Sequence, residues 1–141
     1  MNSYQLQFQV SLNEEHIFLQ ARLPSGEQID LGERAHHYCL VTLARRRLQD
    51  ARRGIDATGQ GWVGVEELAR MLGLETPHLN IQLFRARQHV ACALAPQLDA
   101  RLLLERRRGE VRLGGLPFRI VRGAVLEGEC EAADVMPCNP S

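Results

Sequence analysis

The stretch Trp62 to Leu94, WVGVEELARMLGLETPHLNIQLFRARQHVACAL, decides how the rest of the chain reads. Its first part, VEELARML over residues 65–72, predicts a short helix with Leu68, Met71 and Leu72 on the apolar side. Gly73 is its stop, because glycine enters the left-handed conformation that ends helices without steric cost. Thr76-Pro77 then restarts the helix. A threonine hydroxyl caps open N–H groups, and proline at the first helical position loses no hydrogen bond. The second helix is predicted over 77–94, stopping before Pro96. Leu79, Leu83, Ala86, Val90 and Leu94 form its inward stripe. Ile81, Phe84, Arg85 and Gln88 then face away, with Asn80, Gln82 and Arg87 on the flanks.

Working outward, Leu103–Arg106 and Val111–Leu113 bracket Arg107-Arg108-Gly109-Glu110, the pattern of a hairpin with glycine at its turn. Phe118–Val121 reads as a last strand. Upstream, Trp62-Val63 reads as a very short strand after the loop Gly59-Gln60-Gly61. Leu40, Leu43, Ala44, Leu48 and Ala51 mark one face of a helix that ends at Gly54. Arg45, Gln49, Arg52 and Arg53 lie on its other face, whereas Arg47 falls beside the apolar stripe and so requires a carboxylate or carbonyl partner. Asp30 followed by Glu33 resembles a capping box, which places the start of this helix near residue 32. At the N-terminus, Tyr4, Leu6, Phe8 and Val10 alternate with glutamines, the period of a half-buried strand. His16–Leu23 and Glu27–Leu31 supply two more strands around the turn Pro24-Ser25-Gly26.

Three strands, helix, tiny strand, helix, turn, helix, basic hairpin is the order of a winged helix-turn-helix. The expected fold class is therefore α+β: an N-terminal antiparallel sheet, three helices and a C-terminal β-hairpin wing. One domain is expected over 1–123, with the sheet in 1–31, the helical core in 32–95 and the wing in 101–123. Residues 124–141 read as an acidic tail without structure, because they show no apolar periodicity.

The composition agrees with one globular domain. The chain has 141 residues, 45% of them apolar and 24% charged, enough for an ordinary core and too apolar for disorder. Neither a membrane-length apolar run nor a secretory leader is read from it, so a cytoplasmic location is expected. The formal net charge of zero hides a segregation: every basic residue is Arg, and residues 34–122 hold 16 Arg against 8 acids. G+C-rich coding accounts for Arg over Lys, but not for that excess. A basic centre with acidic ends suits phosphate or an acidic protein surface.

Catalytic and metal signatures are not read. The sequence has no GxxxxGK[ST], HExxH or GxSxG, so no enzyme activity is expected. Cys39, Cys92, Cys130 and Cys138 lack metal-ligand spacing. His36 and His37, adjacent on a helix, are expected to diverge, and His89-x-x-Cys92 stands alone. No metal and no cofactor are expected.

The segment Leu31–Leu113 resembles the winged-helix effector domain of the OmpR/PhoB type that ends many bacterial response regulators. GWVGVEELARML is similar to the family's strand, turn and second helix. LNIQLFRARQHV is similar to its recognition helix, and RRRGEVRL to its wing. The preceding sheet is one strand shorter than the family's, the link Gly73–Thr76 is shorter than the family's loop, and no receiver domain is fused. The phrase LGERAHHYCLVTLARRRL is also similar to the C-terminal region of bacterial proteins that carry a forkhead-associated domain.

The resemblance implies a DNA-binding transcriptional regulator without a fused sensor domain, with helix 77–94 in the major groove and the wing on the backbone. Asn80, Gln82, Arg85, Arg87 and Gln88 are the expected base and phosphate contacts, and Arg107, Arg108 and Arg112 the wing contacts. Double-stranded DNA is the expected partner. The alternative is a protein-binding adaptor with Ile81 and Phe84 as exposed anchors, since an outward Phe suits a protein interface better than a groove. A protein partner that supplies a sensor function, and an oligomer, are both compatible with this reading; a membrane partner is not expected.

Overall fold

A computed structural model describes residues 4–94 and 103–131. Among them the chain folds as a mixed α+β structure with three helices and mostly antiparallel sheets. The alternating N-terminal segment forms β1 (Gln5–Val10), followed by β2 (Ile17–Arg22) and β3 (Gln28–Glu33). Then come α1 (His37–Arg52), β4 (Val63–Gly64), α2 (Val65–Leu72) and α3 (Thr76–Leu94). The hairpin strands are β5 (Leu104–Arg107) and β6 (Glu110–Leu113). Two further strands, β7 (Phe118–Arg122) and β8 (Val125–Cys130), close the described chain.

The strands build two sheets. The larger has the order β3-β2-β1-β7-β8, and the smaller has the order β4-β6-β5. In the larger sheet the register stacks the apolar set on one face: Leu6 lies opposite Ala21 and Phe118, Phe8 opposite Leu19 and Ile120, and Val10 opposite Ile17. That face packs on α1 through Leu40, Leu43 and Ala44, all without solvent exposure. The core continues through Leu68 and Leu79 to Leu104, Val111 and Leu113 of the hairpin, so both sheets share it.

Three expectations need correction. The sheet is not N-terminal and not wholly antiparallel, because β7 returns from the far end of the chain to lie parallel to β1, with β8 antiparallel beyond it. Residues 125–130 therefore belong to the sheet and not to a tail. The strand VLEGEC carries no apolar alternation because its one buried position is Gly128, where a Cβ would stand 2.3 Å from Leu48 Cδ2. Glycine is needed there for close approach. Val125 and Leu126 are exposed, and its two acids meet arginines, with Glu127 on Arg45 at 2.9 Å and Glu129 on Arg119 at 3.4 Å. The unstructured reading of 132–141, including Cys138, lies outside the described residues, as does the stop at Pro96.

The third correction concerns the start of α1, at His37 and not near residue 32. The Asp30 and Glu33 side chains are engaged elsewhere: Asp30 accepts the Gly32 N–H at 2.8 Å within β3, and Glu33 meets His16 at 2.6 Å. Strand β3 uses the residues that resembled a cap. Arg47 behaves as its place beside the apolar stripe demands. It is 3% exposed and donates to the carbonyls of Gly114 (2.8 Å), Leu116 (2.7 Å) and Glu131 (2.7 Å). One guanidinium thus ties α1 to the segments before β7 and after β8.

Candidate nucleic-acid interface

Helix α3 packs against α1, α2 and β3, and its buried residues are Leu79, Leu83, Ala86, Val90 and Leu94, the stripe read from the sequence. The opposite face is open. Asn80, Arg85 and Gln88 are exposed, as are Ile81 (48%) and Phe84 (59%), while Gln82 and Arg87 are half-buried at the margins. The core therefore does not reach round the helix to cover Phe84.

The β5–β6 hairpin stands beside this face, and Arg106 Nη2 donates to Asn80 Oδ1 at 3.4 Å. Arg107, Arg108 and Gly109 are exposed at its tip, as the sequence suggested. Gly109 makes the turn with a φ of +70° and accepts the Val65 N–H at 2.9 Å, which fixes the hairpin to the start of α2. Strand β4 adds a second tie, pairing Val63 with Val111.

The hairpin arginines divide by what holds them. Arg112 is not a free cation. It donates to Glu105 at 2.8 Å and 3.0 Å, and to the carbonyls of Ala57 (2.9 Å), Thr58 (3.2 Å) and Gln60 (3.0 Å). Its guanidinium also lies 4.4 Å from the Trp62 ring centroid. The expected phosphate role for Arg112 is thus corrected: its donors are already used to fasten loop 57–60 to the hairpin. Arg107 lies 4.1 Å from the same ring and meets Glu110 at 2.6 Å. Its side chain remains half-exposed, so it can exchange that partner for another anion. Arg108 has no carboxylate partner among the described residues.

Where Arg106 of β5 bonds Asn80 of α3, a second arginine, Arg87 of α3, lies near enough for its charge to act on Arg106, whose side chain is exposed. Burial first, and then the nearby Arg87 cation, lower the pKa of Arg106. Arg87 Nε is buried without a hydrogen-bond partner. Neither guanidinium has a carboxylate partner among the described residues. Sequence periodicity could not have shown this, since 87 and 106 come near each other only when the hairpin folds beside α3. Arg106 was read as the end of a strand, with no role beyond it.

A second cluster corrects the expectation for His36 and His37. His36 is the residue just before α1, in right-handed helical backbone (φ −71°, ψ −9°), and its ring turns toward α3 with no capping bond of its own. Its Nε2 lies 3.0 Å from His89 Nδ1 of α3. The His36 and His37 rings are edge-to-face at 5.0 Å, and His37 stacks on His89 at 5.7 Å. Burial first, then neighbouring cations and rings, push His36 and His37 down to about 4, and burial also lowers His89. The adjacent Cys92 is exposed, while burial pushes the Cys39 thiol up to about 11.

Compared with family models, curated proteins and solved structures, the chain gives no significant match. Among the described residues no helix is long and apolar enough to cross a membrane.

Proposed function

We propose that this chain is a DNA-binding transcriptional regulator of winged helix-turn-helix build. Helix α3 enters the major groove and the β5–β6 hairpin acts as the wing on the phosphate backbone. The observation that carries this reading is the cationic border of α3 and the hairpin, where Arg106 bonds Asn80 at 3.4 Å and Arg87 Nε is buried without a partner. A guanidinium nitrogen buried without an acceptor, with a second cation nearby, is costly unless an anion completes the site. A phosphate at the border of helix and wing does so, and it positions α3 for reading. Exposed Asn80 and Gln88 offer amide groups suited to adenine edges, and Arg85 a fork suited to guanine. Arg107 and Arg108 continue the cationic line along the wing.

Binding to a mixed-sequence duplex, measured across a salt series, tests the proposal. Arg106→Ala and Arg108→Ala should each weaken binding on every sequence and flatten the slope of log affinity against log salt by about 0.9. Arg85→Ala should instead cost about 1–3 kcal/mol on the preferred site alone. An affinity indifferent to all three variants would overturn the reading.

One observation favours a second reading. Ile81 and Phe84 expose apolar surface at the middle of the face that would enter the groove, where a protein partner would bury them. As an adaptor, the chain would lose its partner on Phe84→Ala and keep it on Arg108→Ala. DNA binding that survives Phe84→Ala with its sequence preference intact would exclude the adaptor.

A further inference from the structure

His36, His37 and His89 come from two elements that pack together, the start of α1 and the third quarter of α3. Each ring offers one nitrogen, and these three atoms lie within 4.8 Å of one another. His37 is fully buried, and its two nitrogens have different surroundings. Nδ1 faces the Ile17 carbonyl at 3.4 Å, whereas Nε2 is buried with no hydrogen-bond partner. A carbonyl accepts and never donates, so it holds the ring proton on Nδ1 and leaves the Nε2 lone pair free. A carbonyl behind one nitrogen with a bare lone pair at the other is how proteins orient a metal-binding imidazole. An unsatisfied acceptor in the interior is otherwise a standing cost.

We propose that His36, His37 and His89 form a three-imidazole site for a late first-row divalent transition metal, with zinc as the reference ion. Tetrahedral zinc with Zn–N bonds of about 2.05 Å places its ligand nitrogens about 3.3 Å apart. The 3.0 Å separation of His36 Nε2 and His89 Nδ1 already has that scale, and the third nitrogen closes from within 4.8 Å. Neutral imidazoles without carboxylates suit zinc, copper or nickel and do not suit magnesium or calcium, which take oxygen ligands. Three protein ligands leave a fourth position for water or an anion. The charges of Arg34 and Arg85 reach His36; they oppose a bare dication and so favour an anion as the fourth ligand. The bound ion would clamp α1 to α3, the helix that carries the proposed reading face. The site stands independently of the DNA reading, because none of its ligands lies in the proposed DNA contacts.

The test uses untagged, chelator-stripped full-length chain, titrated with zinc in a calorimeter and with cobalt(II) in an absorption spectrometer. One equivalent of zinc should bind with micromolar or tighter affinity and raise the melting temperature by about 5 °C at saturation. Cobalt(II) should give the intense visible bands of a four-coordinate ion. His36→Gln and His89→Gln replace the two less buried rings with polar side chains, and so test the ligands while leaving the fully buried His37 in place. Each should weaken zinc at least about 100-fold, more than the loss of an outer-shell partner costs. Cys92→Ser should leave the affinity unchanged, because the exposed thiol lies outside the triad. Absence of stoichiometric binding, or binding that persists in His36→Gln and His89→Gln, would overturn the site. Loss of binding in Cys92→Ser would reassign it.

Discussion

Arginine does opposite work in two regions of this molecule. Along the larger sheet it is glue. Arg45 bridges Glu14 and Glu127 at 2.9 Å each, Arg119 meets Glu129, and Arg122 meets Glu14. On the face built by α3 and the hairpin, Arg85, Arg87, Arg106 and Arg108 have no carboxylate partner among the described residues. A chain that uses only arginine for positive charge cannot separate these roles by residue type. It separates them by where the acids are. The acidic C-terminal strand is spent on the sheet, and four arginines of the α3–hairpin face are left without a carboxylate. Net charge near zero is therefore no argument against an anionic partner.

The comparison can be broken hardest at Arg47, which belongs to neither group because its partners are three carbonyls. Arg47→Ala should cost about 3–5 kcal/mol, since it strips buried acceptors of a charged donor. Chemical denaturation measures it directly. Arg47→Lys should recover part of the loss, because an ammonium keeps the charge but cannot span three carbonyls with a rigid fork. A loss under about 1 kcal/mol for the alanine variant would mean that β7 and β8 stay docked without this tie.

Arg112→Ala against Arg108→Ala sharpens the contrast inside one hairpin. Arg112 should cost about 2 kcal/mol of stability through its bonds to Glu105 and loop 57–60. Arg108, exposed and unpaired, should stay within about 0.5 kcal/mol. Equal effects on the melting temperature would erase the division between structural and free arginines.

Much of the fold was legible because it rests on local rules. Alternation marked β1, an apolar run before a Pro-Ser-Gly turn marked β2, Gly73 ended α2, and the Thr76-Pro77 pair located α3 to within a residue. The inner stripe of α3 could be read because helical periodicity is geometric. What escaped reading depends on partners distant in sequence. Strand β8 hides because its inward residue is a glycine filled by Leu48 from α1, and hydropathy has no signature for that. Asp30 and Glu33 imitated a cap because the competing bond within β3 and the His16 partner cannot be seen in a row of letters. The histidine triad needed the packing of residues 36 and 89, and the nearness of Arg87 to Arg106 needed the hairpin to fold beside α3.

Gly128→Ala tests that account of β8. The new methyl would stand 2.3 Å from Leu48 Cδ2 and 2.9 Å from Arg52 Nη2. Leu48 is buried and must change rotamer, so a loss of about 1–2 kcal/mol is expected. Leu48→Ala in the same chain should restore part of it by opening the space, a coupling that a double-mutant cycle reads. Strict additivity of the two changes would mean that β8 does not lean on α1 at this point.

The smallest expected effect is the most telling for the open face of α3. Phe84 is 59% exposed, so truncating it leaves little space inside the fold. Phe84→Ala therefore removes little buried area, and alanine is the better helix former by a few tenths of a kcal/mol. The two terms nearly cancel, and the melting temperature should move by less than about 2 °C. A residue that contributes nothing to folding yet keeps a large apolar ring in water is then explained only by what it meets outside the chain. If Phe84→Ala instead lowers stability by about 2 kcal/mol or more, the ring is packed within the protein. In that case the helix presents only its polar and cationic side chains, and the adaptor reading loses its anchor while the DNA reading loses its one misfit.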